Sequence, residues 1–587
     1  MKVITKYITL YIKSIKFIWK SCKFLTIAMI ALIPIQALMP SATLYLTNII
    51  INKVQENDIK QISHFVILWC VVFVLNNIMP PINVFIQGQL TDKLTYYLNF
   101  SVMKKAEEIQ DLSHYEDAEF YNEIKLISSE ASWRPVNLLV FGSSIISNSI
   151  IFISMVCMLA SFQIWIAIVI FIAMIVQGWI AYKIQQQSFE TLVSNTEDSR
   201  KLSYYSESVL NADYIKDIRL YSLHSFFQNK YKCTYEEIRK KVQKNRIKQF
   251  VGATIFLIVC AIFGAFCFNF VINSVIDNVY KLGVIMVFVS TIGYSIQSVT
   301  ILVQDTSLLY DTLLYMEKVF CYLKIKDVGY EGQEEPPEDF SILKFNDLNF
   351  TYPNATKKTL HNISFFVKKG QKIAIVGENG AGKTTLVKLI LRLYLLGENQ
   401  ILFDGQDAAN MEINKYREKF SAVFQDFSKF DLSLTDNVVL SNLEQKNNEK
   451  KFNHALEQSG IDLNEMDINK EQILGKQFDN ARDLSGGQWQ RIALARAFFS
   501  DANIVILDEP TAAMDAKMEQ YIYDRFNDLA KDKTVLFITH RLGAVRKADK
   551  ILVLKDGKVN GFDTHEKLME ENKYYRDLYN IQADMYI

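Results

Sequence analysis

This sequence of 587 residues lacks the features expected of a disulfide-linked, zinc-binding or nucleic-acid-binding protein. Its seven cysteines include no CxxC pair, the spacing on which many zinc and redox sites depend. Cys70, Cys157, Cys260 and Cys267 lie in apolar stretches, so we expect buried thiols that act as small hydrophobic side chains. Basic and acidic residues number 64 each, whereas a nucleic-acid-binding surface is expected to show a basic excess.

Charged side chains are also missing from the interiors of long apolar stretches in the first half of the chain. Each stretch is long enough to cross a hydrocarbon core of roughly 30 Å as a helix. The stretches lie at about 24–46, 61–86, 138–160, 162–182, 250–273 and 281–304. Buried helices of a large soluble protein are the alternative, which so many long apolar stretches disfavour. The sequence therefore predicts an α-helical transmembrane domain of six spans within residues 1–325.

Basic residues set the expected orientation of these spans. The segment before the first span has no acidic residue, and its lysines are Lys2, Lys6, Lys13, Lys16, Lys20 and Lys23. Such a basic flank places the N-terminus in the cytoplasm. The apolar run that follows is too long for a signal peptide, so we expect an uncleaved first span. An even number of spans returns the chain to the cytoplasm, which predicts a multi-pass protein of the cell membrane with both termini inside.

The second half of the chain has a different composition. Residues 326–340 contain two glycines, paired prolines and six acidic residues, which is typical of a linker. Beyond it, β-branched runs such as Lys372–Val376, Asn503–Leu507 and Thr534–Thr539 alternate with helical patterns. This alternation indicates a largely parallel sheet with crossover helices. We therefore expect an α/β domain over residues 341–587.

A glycine-rich loop follows the first of these strands. Residues 377–384 fit G-x-x-x-x-G-K-[ST] between a strand and a helix that begins near Lys383, a context that disfavours a chance glycine-rich turn. Glycines let backbone N–H groups point inward, and the helix N-terminus favours phosphate. Lys383 would reach the β- and γ-phosphates of ATP, and Thr384 would bind Mg²⁺. The residues expected to contact the nucleotide here are Gly377, Glu378, Asn379, Gly380, Ala381, Gly382, Lys383, Thr384 and Thr385.

Two adjacent carboxylates end a later apolar strand. Asp508 and Glu509 follow the run Asn503–Leu507. Asp508 would hold Mg²⁺ through water, as such acids do in P-loop ATPases. Neighbouring side chains of a strand point in opposite directions, which leaves Glu509 to orient or deprotonate the attacking water. A surface turn often has the same two acids, so this prediction depends on the glycine-rich loop.

The segment Leu484-Ser485-Gly486-Gly487-Gln488 precedes a helical pattern at Trp489–Phe499. Ser485 is a good N-cap, and the amides of the two glycines would form a second anion site. LSGGQ about twenty residues before LDEP resembles the signature of the ABC ATPases, and the whole chain resembles an ABC exporter with a membrane domain fused to an ATPase. The resemblance implies ATP hydrolysis, with Ser485, Gly486, Gly487 and Gln488 at the nucleotide.

Further residues take their expected roles from this resemblance alone. Tyr352 would stack on adenine, although a tyrosine that packs against a strand explains it too. Gln425 would contact Mg²⁺ and sense the membrane domain. Asp515 corresponds to the D-loop aspartate, and His540 to the switch histidine at the γ-phosphate. Glu509, His540, Gln425 and Lys383 are thus the expected catalytic residues, with Thr384, Gln425 and Asp508 at the metal.

A finer resemblance extends over both halves of the chain. YEDAEFYN, SWRP, VFQDFSKFDLSLTDNV and DLSGGQWQRIALARAFF are similar to nisin-type lanthipeptide exporters. Only 23 residues precede the first span, too few for a protease domain. The segments Ser113–Ile124 and Ala212–Leu223 resemble the two regions that couple exporter membrane domains to their ATPases. The resemblance implies peptide export through alternating access.

The expected partners are a second copy of the chain, membrane lipids and a peptide or amphipathic small molecule, without nucleic acid. One alternative is a multidrug or lipid exporter of the same architecture. A second is a non-transporting ABC ATPase of repair or translation, which the six spans disfavour. A third is a membrane sensor that binds ATP without turnover, which the presence of Glu509 and His540 disfavours.

Overall fold

The computed structural model describes residues 2–56, 59–192, 197–211, 214–353, 355–510, 514, 518, 520–522, 533–539 and 545–584. The chain forms two compact units. The first contains Met1–Ala106 and Asn122–Ile325, and the second contains Glu107–Tyr121 and Lys326–Ile587. A short segment of the helical half, Glu107–Tyr121, is therefore part of the same unit as the α/β half.

The described residues before the linker are helical almost throughout. The helices are α1 (Lys2–Ser21), α2 (Lys23–Gln55), α3 (Ile59–Glu108), α4 (Ser113–Glu116), α5 (Ala118–Glu130), α6 (Arg134–Ala160), α7 (Ile164–Leu192), α8 (Glu197–Leu210), α9 (Ile215–Leu220), α10 (His224–Ile276) and α11 (Gly283–Tyr322). Four helices within the described residues have the length and apolar composition needed to cross a membrane: Lys23–Gln55, Gln61–Glu108, Arg134–Ala160 and Gly283–Tyr322. Two shorter apolar segments, Ile164–Trp179 and Ala261–Ile276, belong to α7 and α10. The predicted helical membrane domain is confirmed.

Many apolar side chains on these helices are exposed. Ile67, Val84, Phe85 and Ile262 are each at least 65% exposed, as expected where lipid rather than water surrounds the chain. The same environment corrects one prediction about the cysteines. Cys267 is buried, but Cys70 and Cys157 are exposed, because an apolar stretch in a membrane helix presents some of its side chains to lipid. The side chain of Cys260 lies outside the described residues.

The described residues of the second unit form two β-sheets. Its strands are β1 (Ile342–Phe350), β2 (Leu360–Lys368), β3 (Lys372–Val376), β4 (Ile401–Phe403), β5 (Gln406–Asp407), β6 (Phe420–Val423), β7 (Ile504–Asp508), β8 (Thr534–Ile538), β9 (Lys550–Lys555) and β10 (Lys558–Asp563). One sheet has the order β10-β9-β3-β8-β7-β6, with β9 through β6 parallel and β10 antiparallel to β9. The other has the order β2-β1-β4-β5 and is antiparallel. The predicted α/β domain is confirmed, but the antiparallel sheet was not predicted.

Helices cover the parallel sheet. They are α12 (Lys383–Ile390), α13 (Ile413–Glu418), α14 (Leu434–Val439), α15 (Glu449–Gln458), α16 (Gly486–Phe499), α17 (His565–Glu571) and α18 (Lys573–Asp584). One core packs α12 between the two sheets. The other packs α14, α15 and α16 on the opposite side of the parallel sheet, where Trp489 is 2% exposed. Residues in the strands β3, β7 and β8 alternate between these cores, which explains why each is buried along almost its whole length.

Candidate functional site

The glycine-rich loop lies between β3 and α12, as the sequence predicts. Gly380 and Gly382 have φ angles of 84° and 94°, which a side chain would disfavour. A Cβ atom at Gly382 would also lie 2.5 Å from Cδ2 of Leu360. Glu378, Asn379 and Gly380 are exposed at the tip of the loop. The loop therefore holds a sharp backbone turn whose tip is open to a ligand.

Lys383 begins α12 and folds back over this loop. Its ammonium donates hydrogen bonds to the carbonyl oxygens of Gly377 at 2.9 Å and Glu378 at 3.1 Å. Burial lowers the pKa of Lys383, while the carboxylates of Glu509 and Asp508 oppose this shift. A cation held on backbone carbonyls inside a glycine-rich loop can transfer to phosphate oxygens with little movement.

The residues proposed for the metal lie beside Lys383. The Thr384 hydroxyl donates to Oδ2 of Asp508 at 2.8 Å. Asp508, at the end of β7, is 2% exposed. Its burial raises the pKa of the carboxyl group, and the hydrogen bond from Thr384 opposes this shift. Hydroxyl and carboxylate oxygens are the donors that Mg²⁺ prefers, so these residues fit that ion.

Glu509 differs from its predicted conformation. The strand β7 ends at Asp508, and Glu509 has a φ angle of 49°, in the left-handed region. The prediction for the direction of the Glu509 side chain depends on strand alternation. That reasoning does not apply, because the strand ends one residue earlier. Its N–H donates to the carbonyl oxygen of Ile538 at 3.1 Å, which fixes the turn against β8.

Two glutamines contact Glu509. Gln425, which follows β6, donates from Nε2 to Oε2 of Glu509 at 3.2 Å. Gln490, in α16, donates from Nε2 to the Glu509 carbonyl oxygen at 3.2 Å. Gln490 was not predicted, although it lies two residues after the signature and is 3% exposed. These contacts join Gln425 to the Glu509 carboxylate and α16 to the Glu509 backbone.

The signature segment forms the predicted N-terminus of α16. Ser485 is the N-cap, and its hydroxyl accepts from the Gln488 N–H at 3.3 Å while Gln488 Oε1 accepts from the Ser485 N–H at 2.9 Å. This capping box leaves Ser485 and Gly486 exposed. The helix begins at Gly486, earlier than the predicted Trp489. An exposed helix start of this kind suits an anion.

Tyr352 lies against the helix that follows the glycine-rich loop. Its hydroxyl is 3.0 Å from the Thr385 hydroxyl. Its ring contacts Phe350 and Tyr394, with centroids 4.9 and 5.6 Å apart. The prediction placed Thr385 at the nucleotide, and the structure places it 6% exposed beside Tyr352. The predicted residues Asp515 and His540 lie outside the described residues.

The segment Glu107–Tyr121 packs on the α/β domain of the same unit. Leu112 N–H donates to the Leu393 carbonyl oxygen at 2.8 Å, and Nε2 of His114 lies 2.9 Å from Oδ1 of Asp327. Glu116 accepts a hydrogen bond from Tyr394, the tyrosine that touches Tyr352. A continuous set of contacts thus runs from the proposed adenine position to this segment.

The chain is similar to known proteins of one family. The family model for ABC transporters matches residues 360–512. The chain is 30% identical to the nisin transport ATP-binding protein of Lactococcus lactis subsp. lactis, over 96% of this chain and 95% of the relative. It is 29% identical to the subtilin transport ATP-binding protein of Bacillus subtilis, over 96% and 93%. An ATP-dependent lipid A-core flippase of Colwellia psychrerythraea is 34% identical over 46% of each chain.

A solved structure supports the fold. It is that of a bacterial Atm1-family ABC exporter with ATP bound, which matches with a TM-score of 0.77 and 18% identity. The match covers 95% of this chain and 98% of that one. At this identity the likeness concerns the fold alone.

Proposed function

The chain belongs to the ABC transporter family, and from this premise we propose that it uses ATP to export a lanthipeptide-type peptide across the cytoplasmic membrane. The observation that carries this proposal is the extent of one similarity. The likeness to the nisin transport protein spans 96% of the chain, and so includes the membrane half that must contact cargo. The likeness to the lipid A-core flippase covers less than half of the chain.

The cargo proposal is tested with the full chain in lipid nanodiscs. We expect ATPase activity to rise with an amphipathic lanthionine-containing peptide that still carries its leader, and to rise less with the same peptide without the leader. Cargo can accelerate turnover only if it binds one conformation of the transporter better than another. An unmodified peptide of the same sequence is the matched control. Stimulation by dyes or lipids but by no peptide would contradict the proposal.

A lipid or multidrug exporter is the second candidate, and one cavity favours it. A cavity of about 780 Å³ lies among α7, α10 and α11. The residues that line it include Ile170, Gly264, Phe268 and Phe288. Its walls are apolar, which suits an acyl chain or a hydrophobic drug. The same panel of compounds separates the two functions, because a lipid A or dye response without a peptide response would select this one.

We assign the nucleotide contacts as follows. The exposed tip of the glycine-rich loop and the start of α12 take the phosphates, and Lys383 exchanges its two carbonyl partners for phosphate oxygens. Thr384, Asp508 and Gln425 hold Mg²⁺, which offsets the phosphate charge when bound. Glu509 accepts a proton from water, and Gln425 orients its carboxylate. Tyr352 stacks on adenine, and Asp515 and His540 keep the roles that the family resemblance implies.

The segment Glu107–Tyr121 couples the ATPase to the membrane helices in this proposal. Tyr394 is central to it, since its hydroxyl donates to Glu116 while its ring packs on Tyr352. Lys388 lies 3.6 Å from the same carboxylate. Burial is the main cause that raises the pKa of Tyr394, and the hydrogen bond to Glu116 raises it further. The hydroxyl therefore stays protonated and able to donate. Occupation of the adenine position can therefore alter how firmly this segment is held.

Removing that hydroxyl tests the coupling contact. In Tyr394→Phe we expect the amides of residues 107–121 to exchange with solvent at least ~10-fold faster, since a hydrogen bond to a charged group contributes about 1.5–3 kcal/mol. ATP binding should persist, because the ring stays beside Tyr352. Tyr416→Phe is the matched control: that hydroxyl donates to the Ile390 carbonyl oxygen in the domain interior. Equal acceleration in both variants would indicate general loosening and contradict the assignment.

A further inference from the structure

Helix α1 (Lys2–Ser21), which precedes the first membrane span, has three distinct faces. One face packs on the protein: Leu10, Ser14 and Ile18, four residues apart, are 8%, 0% and 0% exposed. A second face is apolar yet open, with Ile8 and Ile12 54% and 49% exposed. A helix that only packed on its own protein would need one apolar face, so the second requires another explanation.

The third face of α1 is cationic. It contains no acidic residue, and its lysines with described side chains are Lys6, Lys13, Lys16 and Lys20. Trp19, 38% exposed, belongs to the open apolar face beside them. An apolar row with tryptophan next to a lysine row is the pattern of helices that lie in a membrane interface. The lysines place this interface at the anionic cytoplasmic leaflet.

A cavity opens where α1 meets the end of α11. Its volume is about 540 Å³, and Lys6, Lys13 and Lys324 line it against a single acid, Glu317. Lys6 Nζ lies 2.7 Å from Glu317 Oε1. Hydroxyl groups of Thr5 and Thr9 and the apolar side chains of Leu10 and Phe320 complete the lining, together with Cys321. Three ammonium groups facing one carboxylate leave an excess of positive charge.

We propose that this cavity binds the phosphate headgroup of an anionic phospholipid from the cytoplasmic leaflet. The ammonium groups attract the phosphate as point charges. The apolar side chains at its wall and the open apolar row of α1 accept the start of the acyl chains. The site is independent of the cargo, because it concerns only the helix that leads into the membrane domain.

The experiment measures lipid selectivity. The full chain is reconstituted in phosphatidylcholine vesicles with trace spin-labelled phosphatidylglycerol or phosphatidylcholine, and the association constants of the two lipids are compared. Each lysine near an anionic surface contributes about 5-fold in affinity, so Lys6→Gln with Lys13→Gln and Lys324→Gln should lower the phosphatidylglycerol preference at least ~10-fold. Basal ATPase activity in detergent checks that the variant folds.

Two further variants make the outcome decisive. Glu317→Gln removes the acid from the cavity, so the preference for phosphatidylglycerol should rise instead of fall. Lys16→Gln with Lys20→Gln removes two lysines that do not line the cavity and should change the preference much less than the cavity variant. If both lysine variants lost the phosphatidylglycerol preference equally, surface charge alone would explain it and the site would be overturned. An unchanged preference in Glu317→Gln would overturn the site as well. A third result would be that soluble glycerol phosphate displaces the spin-labelled phosphatidylglycerol as strongly as unlabelled phosphatidylglycerol does. That result would indicate a free phosphate ligand and would also overturn the lipid site.

Discussion

Glu509→Gln is expected to bind ATP with normal affinity and to hydrolyse it at least ~10²-fold more slowly, the contribution typical of a general base. The Glu509 carboxylate accepts a hydrogen bond from Gln425, and its backbone is held on both sides, through N–H by β8 and through C=O by Gln490. Glutamine keeps the size and can keep these backbone contacts, but its amide cannot take a proton from water at neutral pH. Only the chemical step should therefore be lost.

Two measurements are needed for this variant. Nucleotide affinity is measured by equilibrium binding, and phosphate release by single-turnover kinetics, so that a loss of binding is not mistaken for a loss of chemistry. Glu465→Gln, a change at an exposed carboxylate of the same domain, is the matched control and should leave both values unchanged. Turnover close to that of the unmodified chain would remove Glu509 from the mechanism.

Asp508 is the nearest competitor for this role, and its surroundings argue against it. Its carboxylate already accepts from Thr384 and is 2% exposed, whereas Glu509 is only half-buried. Water must reach a general base, and Glu509 is the more accessible of the two acids. This difference in exposure supports the different roles that we propose for the two adjacent acids.

The parts of the site that could be predicted from the sequence are local in the chain. The glycine-rich loop and the Ser485 cap each depend on residues only a few positions apart, so composition and spacing were sufficient. The strand β3 was predicted over its observed range because a short apolar run beside glycine has few alternatives. The prediction from local sequence is wrong for the conformation of Glu509. Contacts of its backbone with β8 and α16 hold a left-handed conformation that no neighbouring residue indicates.

The parts that could not be predicted depend on distant pairs. The hydrogen bond between Tyr394 and Glu116 joins residues 278 positions apart. The antiparallel sheet pairs Leu343 with Phe403, a register that no short pattern encodes. The surroundings of the helices are the other feature that the sequence does not reveal. The prediction that Cys70 is buried assumes that water surrounds its helix, and Cys70 is exposed. Sequence periodicity identifies an apolar face, but it does not tell whether protein or lipid covers that face.

Lys383→Ala and Ser485→Arg are each expected to abolish ATPase activity, and a mixture of the two is expected to recover part of it. Removing the Lys383 ammonium should weaken ATP binding roughly 10- to 100-fold, because hydrogen bonds to charged groups contribute about 1.5–3 kcal/mol. Arginine at position 485 would fill the exposed start of α16 that suits an anion. The recovery is expected if the transporter is a homodimer, as the second copy predicted from the sequence implies.

In that homodimer, the glycine-rich loop of one chain faces the Ser485 segment of its partner. One chain has one ATPase domain, and Lys383, Asp508, Glu509 and Ser485 are all intact, so a chain can supply both faces of a working site to a second copy. A mixed pair combines the damaged loop and the damaged signature in one interface and leaves the other whole. Random pairing should restore at most about a quarter of full activity, since half of the pairs are mixed and each holds one intact interface of two.

The measurement uses the two variants purified separately, dissociated, mixed and reconstituted together, with phosphate release as the readout. Combining both substitutions in one chain and mixing it with Lys383→Ala is the matched control, because no pairing of those chains contains an undamaged interface. Recovery in the first mixture but not in the second supports two composite sites formed by identical chains. A single chain that stays monomeric and inactive until a different gene product is added would contradict the homodimer, while leaving the nucleotide contacts of Lys383 to be judged by its ATP affinity alone.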